Sequence, residues 1–369
     1  MTQLRSRLGD GHAMSATQRV WLDSQGKIGN VSVLASGYLD WDPLATYRSS
    51  TVRSRLHELT LGADLGEWRF DAGRRRLRWG AADGRSVLDL INPVDLSDPF
   101  TGGLRNTTRL PSWMATVERE VFGGRLQMVW VPRAGVARLP ESGSPWEPDV
   151  LRRQREAGVT STRVQTPARP EYGMRWIRYG NGLDLEMVAY QGHAREPLSL
   201  GGGRFVAPPV RTFGMAVQGV LGGNGLRGEI AWEPDAPIVG TLTGTVGSTR
   251  RFRGVLGWDR QFDDGPYANL QAYFDHLAPS PLNAGGSQRR YGLTYLVRDR
   301  FFDSSVEAGV RGVLQASDHS GSAELYAQWE MNDQWRFDAG VMRIWGSAAS
   351  EYGVWRRQSS FRISARRSF

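Results

Sequence analysis

The stretch Trp335-Arg-Phe-Asp-Ala-Gly-Val-Met-Arg-Ile-Trp345 carries apolar side chains at alternate positions, broken once by Arg343. A period of two is the signature of a β-strand whose faces meet different surroundings, and it argues against an amphipathic helix. At ~3.3 Å per residue and a tilt of ~45°, the two tryptophans would lie roughly 23 Å apart along a barrel axis. That distance is close to the ~25 Å apolar band between the aromatic girdles of an outer-membrane barrel. The stretch therefore predicts a membrane-crossing β-strand.

The same alternation recurs along most of the chain, for example from Leu226 to Trp232 and from Leu183 to Ala189. We predict an all-β protein, a single antiparallel transmembrane β-barrel of about 18 strands, because single-chain bacterial barrels have even strand numbers; 16 strands is the alternative. The predicted strands are 3–8, 16–24, 28–41, 51–65, 67–79, 113–121, 125–132, 172–179, 183–192, 210–221, 226–234, 248–262, 267–276, 290–301, 304–316, 322–331, 335–345 and 354–369.

Short and long connections alternate between these strands. Gly-rich or Asp/Asn-containing turns such as Phe122-Gly-Gly124 and Asn181-Gly182 are followed by longer segments such as 80–111 and 134–171. Short periplasmic turns and longer extracellular loops are typical of bacterial barrels. The whole chain, 1–369, is thus predicted to form one domain, and the long loop 80–111 is a candidate to fold into the lumen.

Composition is compatible with a barrel. The 369 residues have 40% hydrophobic content and a mean hydropathy of −0.43, and no apolar run approaches the ~20 residues of a membrane helix. A barrel strand needs only one apolar face. The formal charge of +8 comes from arginines dispersed along the chain rather than gathered in one patch, so we expect no nucleic-acid partner. The predicted location is the bacterial outer membrane, although no signal peptide is visible in this chain.

The richest candidate site begins at Gly73-Arg-Arg-Arg-Leu-Arg-Trp-Gly80, where the alternation changes parity. A β-bulge near Gly73 would restore it and would turn three arginines into the lumen. The predicted substrate pathway or constriction joins these arginines to the acidic residues of the following loop: Arg74, Arg76, Arg78, Asp83, Asp89, Asp95 and Asp98. Such opposed charges select solutes by charge. The alternative is that the arginines pair with neighbouring carboxylates and the loop lies at the surface.

Further charged residues fall on the inferred lumen face of the strands. They are Arg175, Asp184, Glu186, Arg227, Glu229, Arg253, Arg311, Glu324, Arg336 and Asp338. We expect them to balance one another's charge rather than to perform acid–base catalysis. The five histidines are scattered, and no serine lies in a nucleophile-elbow context. The sequence therefore predicts no enzyme, with no catalytic residue, metal or cofactor.

Several motifs resemble those of a known group of proteins. The segment Phe70-Asp-Ala-Gly-Arg-Arg-Arg-Leu-Arg-Trp-Gly80, followed by Asp89-Leu-Ile-Asn-Pro-Val-Asp95, is similar to the "G-R-x-x-x-x-W-G … N-P-x-D" segment of poorly characterised proteobacterial outer-membrane porin-like barrels, loosely akin to alginate-export channels. Three later pieces also resemble this family: Tyr172-Gly-Met-Arg-Trp176 with Gly182-Leu-Asp184, Leu226-Arg-Gly-Glu-Ile-Ala231, and Arg253-Gly-Val-Leu-Gly-Trp-Asp259. The resemblance implies a channel or transport component and identifies no solute.

The functional hypothesis is an outer-membrane channel for passive passage or export of a polar, charged solute. The alternative is a plugged barrel that serves as the outer-membrane structural subunit of an export or lipid-transfer complex. Expected partners are outer-membrane lipid, periplasmic transport proteins and the barrel-assembly machinery. The final strand, which ends at Phe369, resembles the signal that this machinery reads.

Overall fold

The computed structural model describes residues 1–100, 109–159, 163–240, 244–263, 265–283 and 288–369. It shows one closed, antiparallel, 18-stranded β-barrel, which confirms the predicted fold class and strand number. The barrel strands are β1 (Thr2–Arg7), β2 (Ala13–Ile28), β3 (Val31–Trp41), β4 (Val52–Leu65), β5 (Trp68–Arg75), β6 (Ser112–Val121), β7 (Gly124–Val131), β9 (Glu171–Arg178), β10 (Leu183–His193), β13 (Pro209–Leu221), β14 (Asn224–Val239), β15 (Val246–Gln261), β16 (Tyr267–Leu277), β17 (Gln288–Phe301), β18 (Val306–Gln315), β19 (Ser320–Glu330), β20 (Trp335–Trp345) and β21 (Ser360–Arg367).

The barrel closes through its first strand. β1 pairs with β2 on one side and with β21 on the other, and Thr2 lies opposite Ala365 in the closing register. Every other barrel strand pairs with its neighbours along the chain. Closure leaves no strand edge exposed, which is the condition for a sheet to span a bilayer.

The two faces of the wall differ as the alternation predicts. Large apolar side chains such as Leu256 and Val341 project outward and are exposed, whereas polar ones such as Gln271 and Glu229 project inward and are buried. Outward aromatic residues form two belts. One contains Trp113, Trp130, Tyr172, Phe213, Trp232, Phe252, Phe274 and Tyr291; the other contains Trp68, Phe301, Trp329, Trp335 and Phe337. Aromatic belts of this kind mark the two membrane–water interfaces of a barrel.

The two ends of the barrel are unlike. At the turn end, strands are joined by short connections such as those between β6 and β7 or between β13 and β14. At the loop end, the connections include 76–111, 132–170 and 194–208. Two of these loops carry structure that the sequence analysis missed: helix α1 (Asp149–Glu156) and a small sheet of β8 (Arg163–Gln165), β11 (Leu198–Gly201) and β12 (Arg204–Val206). No helix in the described part of the chain is long and apolar enough to span a membrane.

Several predicted strand boundaries and the predicted bulge are wrong. β2 extends to Ile28 rather than to residue 24, and β14 extends to Val239 rather than to residue 234. β5 ends at Arg75 rather than at residue 79, and a 3-10 helix, Gly353–Gln358, precedes β21. Gly73 pairs with Thr60 and with Met114 in unbroken register, so it carries no bulge. The register shift lies instead in β4, where Leu56 and Glu58 oppose consecutive residues of β3. Gly73 is still required, because its φ is 144° and a Cβ there would lie 2.0 Å from the carbonyl oxygen of Leu59.

Candidate functional site

The chain leaves the wall after Arg75, and the segment that follows lies inside the barrel. We call residues 76–100 the inner segment; the remainder of the predicted loop, 101–108, lies outside the described residues. Apolar side chains of the inner segment form a core with inward side chains of the wall, and Trp79, Leu88 and Ile91 are fully buried in it. Wall residues from β6 to β18 take part: Met114, Val129, Val131, Val188, Tyr190, Ala216, Ala231, Val255, Tyr273 and Val313.

Glu229 of β14 is the main polar anchor of the inner segment. Its carboxylate accepts hydrogen bonds from the backbone N–H of Ala82 (2.6 Å), the backbone N–H of Val87 (2.8 Å) and the hydroxyl of Ser86 (2.9 Å). The side chain is 2% exposed. A carboxylate that gathers backbone donors in this way forms strong, charge-assisted hydrogen bonds. Glu229 therefore fixes the turn 82–87 against the wall.

Other wall residues repeat this arrangement along the inner segment. Glu186 of β10 accepts a hydrogen bond from the backbone N–H of Gly80 (2.9 Å), and Gln271 of β16 accepts one from Gly84 (3.0 Å). The indole N–H of Trp79 donates to Gln127 of β7 (2.8 Å). The segment is thus held by strands spread over much of the inner wall.

Asn92 ties the two ends of the inner segment together. Its carbonyl oxygen accepts a hydrogen bond from the backbone N–H of Leu77 (2.7 Å), and its amide donates to the carbonyl oxygens of Leu110 (3.0 Å) and Arg75 (3.2 Å). The side chain is 1% exposed. Asn92 of the Asn-Pro pair noted in the sequence thus links the point where the chain leaves the wall to the point where it rejoins the wall.

The predicted acidic residues of the loop face other arginines than the predicted ones. Asp83 pairs with Arg227 of β14, Asp89 with Arg109 (2.9 Å), Asp95 with Arg138 (2.8 Å) and Asp98 with Arg5 of β1 (3.0 Å). Burial raises the pKa of the Asp89 carboxyl above its ordinary value despite its arginine partner. The four carboxylates therefore act mainly as anchors, each on a different part of the barrel or its loops.

The three predicted constriction arginines do not form one ladder. Arg74 lies at the end of β5 and donates to the carbonyl oxygen of Leu56 (3.3 Å), beside the register shift of β4. Arg76 lies 3.9 Å from Glu58, and Arg78 donates to the carbonyl oxygen of Ala82. Arg76 and Arg78 line the lumen cavities described below, whereas Arg74 does not.

The structure places the other predicted lumen residues on the inward face and mostly in ion pairs. Arg253 pairs with Glu233, Arg311 with Glu324 (2.6 Å), Arg336 with Asp338 (3.4 Å) and Arg175 with Glu186 (4.0 Å). Arg227 bridges Asp83 and Asp259, and Asp184 accepts a hydrogen bond from Gln218 (3.1 Å). No group of three or more metal-ligating side chains able to hold a metal ion occurs in the part of the chain that the structure describes.

A cavity of about 700 Å³ lies between the inner segment and the wall near the loop end, and we call it the outer cavity. Its lining contains eight arginines and five carboxylates among the described residues, and three of the arginines pair with carboxylates just outside the lining: Arg76 with Glu58, Arg85 with Glu351 and Arg195 with Glu171. The arginines are Arg76, Arg78, Arg85, Arg109, Arg195, Arg251, Arg253 and Arg290. Arg78 and Arg290 have no ion-pair partner within the described ranges, which leaves their guanidinium groups available to a solute.

The pKa of the Glu196 carboxyl reflects the arginines around the outer cavity. The residue is exposed, and neighbouring guanidinium groups hold the pKa of its carboxyl below its ordinary value; in decreasing order of effect they belong to Arg251, Arg85, Arg290 and Arg253. An anion that enters the cavity meets the same field.

A second cavity of about 490 Å³, the inner cavity, lies nearer the turn end against β2 to β5. Polar and charged side chains such as Glu58, Asp71 and Arg75 line it. Arg76 lines both the outer and the inner cavity. Of the predicted constriction residues in the described ranges, Arg76 is the one that borders both cavities.

Sequence reasoning missed several residues of this site. Arg85, Arg195 and Arg290 line the outer cavity, but each lies in a loop or near a strand end where the alternation gives no orientation. Glu229 was assigned to the lumen, yet its contact with the inner segment joins residues that are 142 to 147 positions apart. An acidic residue on a predicted inward face, together with a Gly- and Ser-rich loop elsewhere in the sequence, is the signal that could have suggested such an anchor.

The comparisons with known proteins concern the fold. No protein-family model matches the chain, and no curated protein matches it. The solved structures with a similar fold include the following three. OccAB2 of Acinetobacter baumannii has a TM-score of 0.57 at 7% identity, covering 100% of this chain and 95% of that one. OccK5 (OpdH) of Pseudomonas aeruginosa has a TM-score of 0.56 at 8% identity, covering 100% and 96%. OccD3 (OpdP) of the same species has 0.54 at 10% identity, covering 99% and 89%. At these identities the likeness shows that this chain shares the β-barrel fold of those three proteins.

Proposed function

We propose that this protein is a diffusion channel of the bacterial outer membrane that favours small anionic solutes. The observation that carries the proposal is the outer cavity, whose lining holds eight arginines, two of which, Arg78 and Arg290, have no ion-pair partner in the described ranges. Fixed charges around a pore set the sign of the ions that pass, and no covalent chemistry is needed. The porin-like fold supports membrane insertion, with the turn end in the periplasm and the loop end outside.

Purified protein in a planar bilayer tests this function. Under a tenfold salt gradient, we expect discrete conductance steps and a reversal potential of the sign that indicates a preference for chloride over potassium, because the arginines without an ion-pair partner lower the energy of an anion in the pore. Cation preference would contradict the proposed solute class. The absence of conductance would contradict the open channel itself.

Arg76 is expected to set much of this preference. A unit charge contributes about 1 kcal/mol to an ion ~4 Å away even at the dielectric constant of water, which corresponds to about fivefold in an equilibrium ratio. Loss of the charge acts on the anion and on the cation in opposite directions, so we expect Arg76→Ser to lower the chloride-to-potassium permeability ratio by about 25-fold. The reversal potential measures this ratio directly.

Arg311→Ser is the matched control for that experiment. Arg311 also faces the lumen and, like Arg76 with Glu58, has a carboxylate partner in Glu324, but it lines neither cavity. The same loss of one positive charge at Arg311 should change the permeability ratio by less than half as much on a logarithmic scale. Equal effects of the two substitutions would show that Arg76 has no special position on the path.

The plugged barrel is the second candidate, and one observation favours it. The inner segment fills part of the lumen with a buried apolar core that includes Trp79, Leu88 and Ile91. Such a protein would show no conductance until the segment is removed, and it would co-purify with a periplasmic partner. The likeness to alginate-export channels and the use of Phe369 by the assembly machinery stay predictions from the sequence.

A further inference from the structure

Five neighbouring strands carry an unbroken outward row of aromatic residues near the loop end. Each strand from β13 to β17 contributes one ring: Phe213, Trp232, Phe252, Phe274 and Tyr291. Phe213 lies 5.8 Å from Trp232, and Phe252 lies 5.7 Å from Phe274, measured between ring centroids. All five side chains are exposed on the outer face. The row therefore marks the height of the membrane interface on this side of the barrel.

Three arginines lie directly beyond this row, toward the loop end. Arg211, Arg250 and Arg289 each precede an aromatic residue of the row by two positions, so they share its outward face. They lie on alternate strands, β13, β15 and β17, which places successive arginines ~10 Å apart around the barrel. Arg211 pairs with Asp235 (2.9 Å) yet remains 56% exposed. Arg250 and Arg289 are exposed and have no ion-pair partner in the described ranges.

An apolar groove of about 570 Å³ runs down the outer wall from Arg211. The small side chain of Ala189 leaves a depression in the outer surface between Met174 and Phe213, which lie opposite it on the two neighbouring strands. The large side chains of Trp130 and Phe213 contribute to the rest of the lining. A groove with an apolar lining and a cation at its mouth matches the polarity of a lipid, whose acyl chain would lie in the groove and whose headgroup would lie at the arginine.

We propose that β9 to β17 bind a phosphorylated glycolipid of the leaflet at the loop end. Its phosphate groups contact Arg211, Arg250 and Arg289, and one of its acyl chains occupies the groove over Ala189. Guanidinium groups bind phosphate with paired, charge-assisted hydrogen bonds, and cations at the membrane interface attract anionic headgroups. This site lies on the outer wall and depends on membrane insertion, not on conductance, so it can fail or succeed independently of the channel function.

The test is native mass spectrometry of the purified full-length chain, titrated in detergent with bis-phosphorylated lipid A or with the same lipid after dephosphorylation. We expect the phosphorylated lipid to bind and the dephosphorylated lipid to bind at least tenfold more weakly. We expect the double variant Arg250→Gln/Arg289→Gln to weaken binding of phosphorylated lipid by about thirtyfold, since each interfacial cation contributes about fivefold.

Arg178→Gln/Arg260→Gln is the matched control. Both arginines face outward, but they lie at the turn end, so the same loss of charge should leave lipid binding unchanged. Ala189→Leu fills the groove without a change in charge and should also weaken binding. The proposal is overturned if the control double variant loses as much binding as the test variant, if dephosphorylated lipid binds equally well, or if millimolar inorganic phosphate displaces the lipid completely.

Discussion

Replacing Glu229 with alanine is expected to release the inner segment from the wall. The substitution leaves two backbone N–H groups and the Ser86 hydroxyl without their acceptor in a buried site. Each such loss costs about 1 kcal/mol or more, so the docked state should lose roughly 3 kcal/mol. We expect larger and noisier conductance steps in a bilayer. We also expect trypsin to cleave after Arg78 and Arg85, which the docked segment protects in the native protein.

The control for this experiment is Glu324→Ala. Glu324 is also an inward carboxylate, but both of its arginine partners, Arg311 and Arg362, belong to the wall. It has no hydrogen bond with the inner segment among the described residues. We therefore expect unchanged tryptic protection of the segment in Glu324→Ala. If Glu229→Ala were as resistant to trypsin as this control, Glu229 would not be the anchor that its geometry indicates.

Replacing Trp79 with alanine should have a comparable effect by a different route. Trp79 is fully buried, and its indole N–H bonds to Gln127. Deleting a buried tryptophan side chain typically costs about 3–5 kcal/mol. The barrel wall does not depend on this contact, so the cost should fall on docking of the inner segment. Bilayer conductance and hydrogen exchange of residues 77–91 measure it.

Two further variants define what the Trp79 result means. Trp68→Ala removes a tryptophan from the outer face and should leave exchange of the inner segment unchanged. Gly173→Val should reproduce the Trp79→Ala phenotype, because even a Cβ at position 173 would lie 2.6 Å from the indole of Trp79. Slow exchange at residues 77–91 in both Trp79→Ala and Gly173→Val would contradict the idea that this contact holds the segment.

The sequence predicted the wall well because the wall obeys a local rule. Side chains of a strand that separates lipid from a polar interior must alternate, and β20 is accordingly found from Trp335 to Trp345, as predicted. The rule fails where the chain leaves the wall. Arg74, Arg76 and Arg78 occupy alternate positions, as in a strand, but Trp79 has left the sheet and packs in the lumen core. Only tertiary contacts could reveal that the strand ends before Trp79.

The pairing of charges in the lumen could not be predicted from the sequence for a similar reason. Asp83 and its partner Arg227 are separated by 144 positions, and nothing local distinguishes Arg227 from a nearer arginine. The predicted bulge is absent because Leu77 and Trp79, whose parity suggested it, lie beyond the end of β5 and pack in the lumen core. Alternation shows which face a residue occupies, but not which strand lies opposite across the lumen.

The closing contact between β1 and β21 also constrains the order of assembly. β1 pairs with β2, which follows it closely in the sequence, and with β21, which is distant in the sequence. Thr2 therefore cannot pair with Ala365 until the chain between them has been made. Until then, β1 and the most recently made strand have unpaired edges that could pair with another molecule. Contacts between such distant positions also form slowly. Before β21 has been made, the strands that precede it cannot form a closed wall, so closure of the barrel is a late step of folding.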